Sequence, residues 1–307
     1  MKKIAFLFAG QGAQSAGMGK DLYGANAGAH ALYDNGEALR PGTLQTCFEG
    51  PGDELTRTEN AQPCLFLTDL AFAEALEEAG VHASFAAGFS LGEIPALAFT
   101  GVLSFADAFR LVTLRGESMA KAAIEHPGSM AAALKLDNET VESVCREFRE
   151  IWPVNYNCPG QLSCAGSLDE LDAFCERIKA SGGRAVRLAV SGAFHTPYLS
   201  GVTDILAGAL EKMDVKAPRI PLYADLTGEP YPADAEGIRA TVSRQVSSPV
   251  RWEKAVRAMK DAGVEAFVEV GPGKTLTGLV KKTFPDAETY TVNDIPSLEA
   301  AVAALKD

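Results

Sequence analysis

Short apolar runs alternate with amphipathic segments along most of the chain, a pattern that indicates strands followed by helices in an α/β protein with a mainly parallel sheet. Residues 4–9 form the first predicted strand and residues 84–89 the second. Pro63 is predicted to open the helix between them, which ends at Gly80. The later predictions are a helix over 91–100, a helix over 104–124 that begins with a Ser104/Asp107 capping box, a helix after Pro197, the strand PLYAD, a helix over 252–262, the strand VEAFVEV and a helix after GPGK.

The middle of the chain has a more compact pattern. Its predicted elements follow the order strand, helix, strand, strand, helix, strand, with SMAAALKL, 139–150, WPVNYN, QLSCAG, 168–180 and RAVRLAV as the segments. This βαββαβ order is the split βαβ arrangement of ferredoxin-like units. We therefore predict a large α/β-hydrolase-like catalytic domain, formed by residues 1–125 and 193–307, with a ferredoxin-like subdomain inserted over residues 126–192.

Composition and charge narrow the class of protein. The 307 residues are 47% hydrophobic and 22% charged, which indicates a globular chain, and the net charge of -12 disfavours binding to nucleic acid or an anionic membrane. The apolar run after MKK is short for a signal peptide, and the chain has no transmembrane run, so we expect a cytoplasmic protein. The six cysteines form no C-x-x-C pair and the four histidines lie far apart, so we expect free thiols and no metal site.

The segment Gly88-Phe89-Ser90-Leu91-Gly92 matches the pattern G-x-S-x-G, which is weak evidence by itself. Its context is more informative, because a predicted strand precedes it and a predicted helix follows. A serine there would lie on a sharp turn at the amino end of a helix, where N–H groups favour negative charge, and the N–H of Leu91 would be one oxyanion donor. A helix-capping serine without chemistry is the alternative that the local pattern leaves open.

Two other segments could assist such a serine. GQGAQ, residues 10–14, follows the first predicted strand and is flexible enough to turn backbone N–H groups toward an anion, although it matches neither a Walker nor a G-x-G-x-x-G sequence. His195 follows the predicted insert and is a candidate general base. The group that would orient the imidazole stays open: Asp225 and Glu269 lie near strand ends, and a backbone carbonyl is the third possibility.

Seven motifs then occur in an order that resembles one family. They are GQGAQ (10–14), NAQP (60–63), GFSLGE (88–93), LRGESM (114–119), GAFH (192–195), QVSSPVRW (245–252) and EVGPG (269–273). The chain resembles the malonyl-CoA:acyl-carrier-protein transacylases of the bacterial stand-alone type over essentially its whole length. Seven spaced motifs are far more specific than any one of them.

The resemblance implies roles for the catalytic residues. Ser90 would be the nucleophile that becomes malonylated, and His195 would be its base, held by backbone carbonyl oxygen rather than by a carboxylate. The backbone N–H groups of Gln11 and Leu91 would form the oxyanion hole.

The resemblance also implies a substrate pocket. Arg115 would bind the free carboxylate of malonate, with Gln245 beside it, and Met119 and Phe194 would line the pocket. A planar guanidinium suits this task because it donates two charge-assisted hydrogen bonds to one carboxylate. The bulk of Phe194 would exclude the α-methyl branch of methylmalonyl groups.

One position departs from the family. Phe89 precedes the nucleophile, where the family usually has histidine. Since that histidine is not the base, catalysis should survive, and only the polarity of the pocket and the orientation of the substrate are put in doubt.

The predicted reaction is a two-step, ping-pong transfer of malonyl from malonyl-CoA to the phosphopantetheine thiol of acyl carrier protein, with no metal, flavin or nicotinamide cofactor.

A stand-alone chain favours fatty-acid over polyketide synthesis, and we expect a monomer. Carrier protein is expected to dock on basic side chains, with Lys281, Lys282, Arg184 and Arg187 as candidates. A serine hydrolase and a non-catalytic carrier-binding scaffold are the alternatives.

Overall fold

The structure is a computed structural model that describes residues 2–306. Its nine strands are β1 (Ile4–Phe8), β2 (Phe85–Gly88), β3 (Gly128–Leu134), β4 (Ile151–Cys158), β5 (Gln161–Ser167), β6 (Arg184–Arg187), β7 (Leu222–Tyr223), β8 (Ala266–Val270) and β9 (Glu288–Val292). The first helices of this part of the chain are α1 (Lys20–Ala25), α2 (Ala27–Leu39), α3 (Thr43–Glu49), α4 (Gly52–Thr56), α5 (Thr58–Glu78), α6 (Glu93–Phe99) and α7 (Phe105–Glu125). The later ones are α8 (Asn138–Cys145), α9 (Leu168–Ala180), α10 (Ser200–Leu210), α11 (Ala235–Gln245), α12 (Trp252–Asp261), α13 (Thr275–Thr283) and α14 (Ile295–Leu305).

The large sheet has five strands in the order β7-β2-β1-β8-β9, and every neighbouring pair is parallel. β1 lies in the middle and all its residues are buried, as expected for the uninterrupted apolar run IAFLF. Its last residue, Phe8, is in register with Gly88 on one side and Val270 on the other. Because parallel strands end at one edge, the loops that carry GQGAQ, Ser90 and GPG leave the sheet side by side.

The small sheet has four strands in the order β4-β5-β3-β6, all antiparallel. Helices α8 and α9 cover one face, where Val141 and Phe174 pack against Ala131 and Leu162. The chain order β3-α8-β4-β5-α9-β6 with this strand order is a ferredoxin-like arrangement. The predicted fold class, a mainly parallel α/β sheet with a small βαββαβ unit, is confirmed.

The two sheets share one hydrophobic core. Met130, Val154 and Ala165 of the small sheet belong to the same buried cluster as Phe8 and Leu91. β4 is also tied to the chain after α11, since Val250 N–H donates to Val154 O at 2.8 Å. The strands of the small sheet lie between residues 128 and 187, and the predicted division of the chain at residues 126 and 192 stays a prediction.

Several sequence predictions differ from the structure, and one is the helix predicted over 139–150, which ends at Cys145. α5 begins at Thr58, so the predicted start at Pro63 is wrong and this proline lies inside the helix. Packing stabilises the extra turn: Gly116 of α7 comes so close that a Cβ atom there would lie 3.1 Å from Thr58 O. Helices α1 to α4, α11 and α14 and strand β9 lie outside the predictions. Helices α2 and α11 do bury residues at helical spacing, but Gly36, Thr241 and Gln245 are small or polar, so the apolar stripe is weak in the sequence.

All six cysteines are buried and unpaired, as predicted. Among the helices of residues 2–306, none combines the length and the apolar character that crossing a membrane requires.

Candidate active site

The Ser90 turn is strained in the way that an exposed nucleophile requires. β2 ends at Gly88, and Ser90 then has a φ of 53°, in the left-handed region that residues other than glycine rarely adopt. A Cβ atom at Gly88 would collide with the backbone of Gly92, and one at Gly92 would collide with Phe8 O of the central strand. The glycines of G-x-S-x-G are therefore required by close backbone contacts on both sides of Ser90.

His195 lies against this serine. Its Nε2 is 2.7 Å from Ser90 Oγ, and its Nδ1 is 3.1 Å from both Gln245 O and Ser248 O. Two carbonyl acceptors at Nδ1 place the ring proton there, which leaves Nε2 as the acceptor for the serine hydroxyl. The imidazole is thus oriented by backbone carbonyl groups, one of the three possibilities that the sequence left open.

The two candidate acids, Asp225 and Glu269, accept backbone N–H groups of other residues. Asp225 Oδ2 accepts the backbone N–H of Ser90 at 2.6 Å. Glu269 accepts the N–H groups of Leu276 and Thr277, at 3.0 and 2.7 Å, and so holds the first turn of α13. In the described part of the chain, neither carboxylate is among the hydrogen-bond partners of His195.

Burial and charge determine the protonation of the imidazole. His195 is buried, and burial first and the charge of Arg115 second lower its pKa to about 4. The ring is therefore neutral at pH 7 and has a free lone pair at Nε2, as a general base needs.

A pH profile follows from this value. Loss of the neutral imidazole should inactivate the protein only as the pH falls toward about 4, so acylation of Ser90 is expected to stay nearly constant from pH 7 to about 5.5. The measurement is the single-turnover rate of acyl-enzyme formation by intact-mass spectrometry, with circular dichroism at each pH to verify folding. An acid limb with an apparent pKa of 6 to 7 would contradict the burial of this ring.

Arg115 of α7 reaches the same point from the opposite side. Its Nη2 donates to Ser90 Oγ and to Gln245 Oε1, both at 3.1 Å, and its Nη1 donates to Gln62 Oε1 at 2.9 Å. The side chain is 1% exposed, and burial lowers its pKa to about 10, so it stays cationic at neutral pH. These hydrogen bonds join the guanidinium to neutral oxygen atoms, and a carboxylate beside Ser90 would be a stronger partner.

The predicted oxyanion donors lie at the same sheet edge. Leu91 follows Ser90 in the short 3-10 turn Ser90–Gly92 that leads into α6. Gln11 follows Gly10, which packs so tightly that a Cβ atom there would lie 2.8 Å from Phe89 O. This places the GQGAQ loop against the Ser90 turn, while the oxyanion role of both N–H groups stays a prediction.

Met119 and Phe194 are both buried. Met119 Sδ is 3.3 Å from Gln62 Nε2, so it contacts the side chain that in turn holds Arg115. Phe194 directly precedes His195 and packs near Gly192. Their roles toward the substrate stay predictions.

Phe89, which stands where the family usually has histidine, packs against apolar side chains. Its ring packs edge-on against Trp252, with ring centroids 5.4 Å apart, at the margin of a buried apolar cluster. The substitution therefore changes the packing beneath the turn.

The sequence predictions assigned no role to several residues of the site. Gln62 lies in the NAQP motif, Glu93 in GFSLGE and Ser248 in QVSSPVRW, so all three were in quoted motifs, whereas Tyr231 was in none. Tyr231 donates to Glu93 Oε1, and Gln245 Nε2 donates to Ser90 O at 2.6 Å. These contacts join distant segments, which no local pattern reveals.

A cleft of about 570 Å³ adjoins the site. Its polar lining includes Gln11, Gln14 and Thr58 and the charged residues Asp53, Arg57 and Glu59, and Ala120 and Val190 are among its apolar lining. Gln11 Nε2 donates to Thr58 Oγ1 at 3.1 Å, so the cleft meets the catalytic edge of the large sheet at Gln11. Elsewhere in residues 2–306, no three His, Cys, Asp or Glu side chains are grouped as metal ligands would be.

A serine on a strained turn, a neutral histidine and a buried arginine make this a site suited to acyl transfer. Residues 5–304 match the family described as the acyl transferase domain. The chain belongs to the acyl transferase family.

Similar proteins cover the whole chain. It is 39% identical over 313 residues to the malonyl CoA-acyl carrier protein transacylase of Bacillus subtilis (strain 168), covering 100% of this chain and 98% of the relative. The transacylase of the same name from Escherichia coli (strain K12) is 35% identical over 308 residues, or 98% of this chain and 99% of the relative.

Solved structures agree with this assignment. A malonyl-transacylase in complex with its type II PKS acyl-carrier protein has a TM-score of 0.95 and 34% identity, covering 99% of this chain and 100% of that one. The malonyl CoA-acyl carrier protein transacylase of Clostridium perfringens has a TM-score of 0.93 and 34% identity, with 99% and 97% covered.

Proposed function

We propose that this protein transfers malonyl from malonyl-CoA to the phosphopantetheine thiol of acyl carrier protein through a malonyl-Ser90 ester, and so supplies extender units for fatty-acid synthesis. The observation that carries this proposal is the position of Ser90 Oγ, 2.7 Å from His195 Nε2 and 3.1 Å from Arg115 Nη2. A nucleophile between a neutral base and a fixed cation suits an acyl group that ends in a carboxylate. The names of the full-length relatives support the same substrate and acceptor.

In the first half-reaction, His195 Nε2 takes the proton of Ser90 as Oγ attacks the thioester carbonyl carbon. The backbone N–H groups of Gln11 and Leu91 hold the oxyanion. The C–S bond then breaks, and coenzyme A leaves as a thiol with the proton from His195.

The second half-reaction reverses these steps with a different thiol. His195 removes the proton of the phosphopantetheine thiol, whose sulfur attacks the malonyl ester, and Ser90 regains its proton as the C–O bond breaks. Each step moves one proton between Ser90, His195 and a thiol, so the proposal uses no cofactor, and coenzyme A enters only as part of a substrate.

Arg115 would bind the distal carboxylate of the malonyl group. Nη2 already lies on Ser90 Oγ, so a carboxylate two carbons from the ester carbonyl would be within reach of the guanidinium. Gln62 and Gln245 hold the two Nη atoms and would keep the plane of the group fixed. Phe194, beside the base, would limit room for a methyl branch.

The cleft beside Gln11 would admit the pantetheine arm, because it is partly apolar and meets the catalytic edge at Gln11. Acyl carrier protein would dock on the basic side chains predicted from the sequence, which lie outside the lining of this cleft. Of the basic candidates, Lys282 Nζ donates to Gln161 Oε1 at 2.8 Å, and Arg187 pairs with Asp172 at 2.7 Å. Arg184 and Lys281 complete the proposed patch.

The proposal is tested by mixing the protein with malonyl-CoA, with and without holo acyl carrier protein. We expect a malonyl adduct on Ser90 without the carrier and malonyl-carrier with it, both seen by intact-mass spectrometry. Methylmalonyl-CoA and acetyl-CoA in parallel reactions should give much slower acylation. Release of free malonate that the carrier does not divert would instead indicate a hydrolase, and absence of any adduct would contradict the proposal.

A further inference from the structure

The backbone of the nucleophile is held by side chains from distant segments. Ser90 N–H donates to Asp225 Oδ2 at 2.6 Å, and Ser90 O accepts from Gln245 Nε2 at 2.6 Å. Ser90 has a left-handed φ, so the turn needs such external contacts to persist. Asp225 is thus one of the groups that fix the direction of Ser90 Oγ.

Asp225 is not alone in this position. Glu93 Oε2 lies 2.8 Å from the same Gln245 Nε2 that is 3.1 Å from Asp225 Oδ2. Counting Ser90 O, three acceptor oxygens surround one amide nitrogen that carries only two hydrogens. The two carboxyl groups are buried, with Glu93 1% and Asp225 2% exposed, and the backbone N–H of Asp225 donates to Glu93 Oε2 at 3.4 Å. Two ionised carboxylates so close together in a buried place would repel strongly.

The charges around the pair come from several elements. Arg115 of α7 is the cation that faces both carboxyl groups, and Tyr231 OH donates to Glu93 Oε1. Arg251 contributes its backbone N–H to Asp225 O, while its guanidinium lies over the ring of Tyr156. With one proton on the pair, this cluster is neutral before a malonyl carboxylate arrives. With none, it would be negative and would oppose that carboxylate.

We propose that Asp225 is a positioning residue that holds the Ser90 turn as a neutral carboxylic acid and shares a single proton with Glu93. It accepts the N–H of Ser90 and donates its own proton to Glu93, so both carboxyl groups are satisfied with one negative charge. Burial first and the charge of Glu93 second raise the pKa of Asp225 well above its ordinary 3.8, which agrees with this assignment. The inference rests on the proposed function only in taking Ser90 as the acylated group.

The test compares Asp225→Asn with Asp225→Ala in single-turnover acylation by malonyl-CoA. Asparagine has the same shape, is always neutral, and can accept from Ser90 and donate to Glu93. Its acylation rate is expected within about threefold of wild type at pH 7, whereas alanine, which leaves the N–H of Ser90 unpaired, should slow acylation by about tenfold or more. Wild type should also lose activity at alkaline pH as the shared proton leaves, and Asp225→Asn should not lose it there.

Unfolding provides a second measurement that does not depend on catalysis. A carboxyl group with a raised pKa in the folded state stabilises the fold fully below pH 3.8 and loses that contribution as the pH rises through its folded pKa. Asp225→Asn cannot ionise, so its free energy of unfolding relative to wild type should increase as the pH rises over this window. Urea unfolding curves of both proteins at a series of pH values measure this difference.

Three results would overturn the inference. They are an Asp225→Asn variant as slow as Asp225→Ala, an Asp225→Ala variant as fast as wild type, and a stability difference between wild type and Asp225→Asn that does not change with pH. A wild-type protein that forms no adduct on Ser90 would overturn the proposed function instead, and the unfolding curves would still decide whether Asp225 and Glu93 share a proton.

Discussion

Replacing Arg115 by alanine is expected to lower kcat/KM for malonyl-CoA by about 10²- to 10³-fold while leaving the slow reaction with acetyl-CoA unchanged or faster. The guanidinium is buried and bonded to Gln62, Gln245 and Ser90, so a malonyl carboxylate that meets it is desolvated and paired at once. Loss of a buried, hydrogen-bonded charge pair costs about 2 to 5 kcal/mol, or about 30- to 5,000-fold, and the expected decrease lies within that range. An acetyl group has no distal carboxylate, so its transfer does not depend on this charge pair.

The measurement is the ratio of malonyl to acetyl transfer in wild type, Arg115→Ala and Arg115→Lys. Lysine keeps the charge but not the two-pronged geometry, so its ratio should lie between the others. Arg110→Ala is the matched control, because Arg110 lies on the same helix with its side chain 60% exposed and paired with Asp107. If malonyl and acetyl transfer fell by the same factor in Arg115→Ala, the arginine would support the fold of the site and not its selectivity.

Replacing Ser90 by alanine is expected to remove the covalent adduct and to lower malonyl transfer by more than about 10³-fold, because it removes the hydroxyl that lies 2.7 Å from His195 Nε2 and would form the ester. Intact-mass spectrometry after incubation with malonyl-CoA measures the adduct, and peptide mapping locates it in wild type. Ser181→Ala is the control, since Ser181 caps the end of α9. An adduct of equal yield in Ser90→Ala would place the nucleophile elsewhere.

Local signals account for what the sequence predicted of the fold. β1 is an uninterrupted apolar run, β8 is apolar apart from Glu269, and α7 has both a capping serine and a regular apolar stripe, so local patterns predict all three. Helix α2 also buries residues 29, 32, 33 and 36, but alanine and glycine at two of these positions make its apolar stripe weak in the sequence. Pro63 shows the same limit, because contact with Gly116 extends α5 past a residue that usually marks a helix start.

The residues of the site also fall into two groups, those that sequence motifs identify and those that only the structure reveals. Ser90, His195 and Arg115 lie in motifs, and the resemblance to a family assigned them roles that composition alone did not. Ser248 O reaches His195 from the QVSSPVRW motif, whereas Asp225 bonds Ser90, and Tyr231 bonds Glu93, from segments that are distant in sequence. The resemblance implied a backbone carbonyl at the imidazole, and the folded chain identifies Gln245 O and Ser248 O in that place and shows that Asp225 accepts the nucleophile's N–H.

The carbonyl-held imidazole has a consequence for which acceptor takes the acyl group. With no carboxylate among its described partners to stabilise an imidazolium, and with a cation nearby, His195 is a weak base. A thiol needs little help from such a base, because its pKa of about 8.5 leaves roughly a few per cent as thiolate near neutral pH. Water is a far weaker acid and, unlike Ser90 Oγ at 2.7 Å from Nε2, is not fixed beside the base by a covalent link to the chain. The ester on Ser90 would therefore partition toward sulfur nucleophiles and survive in water long enough to meet one.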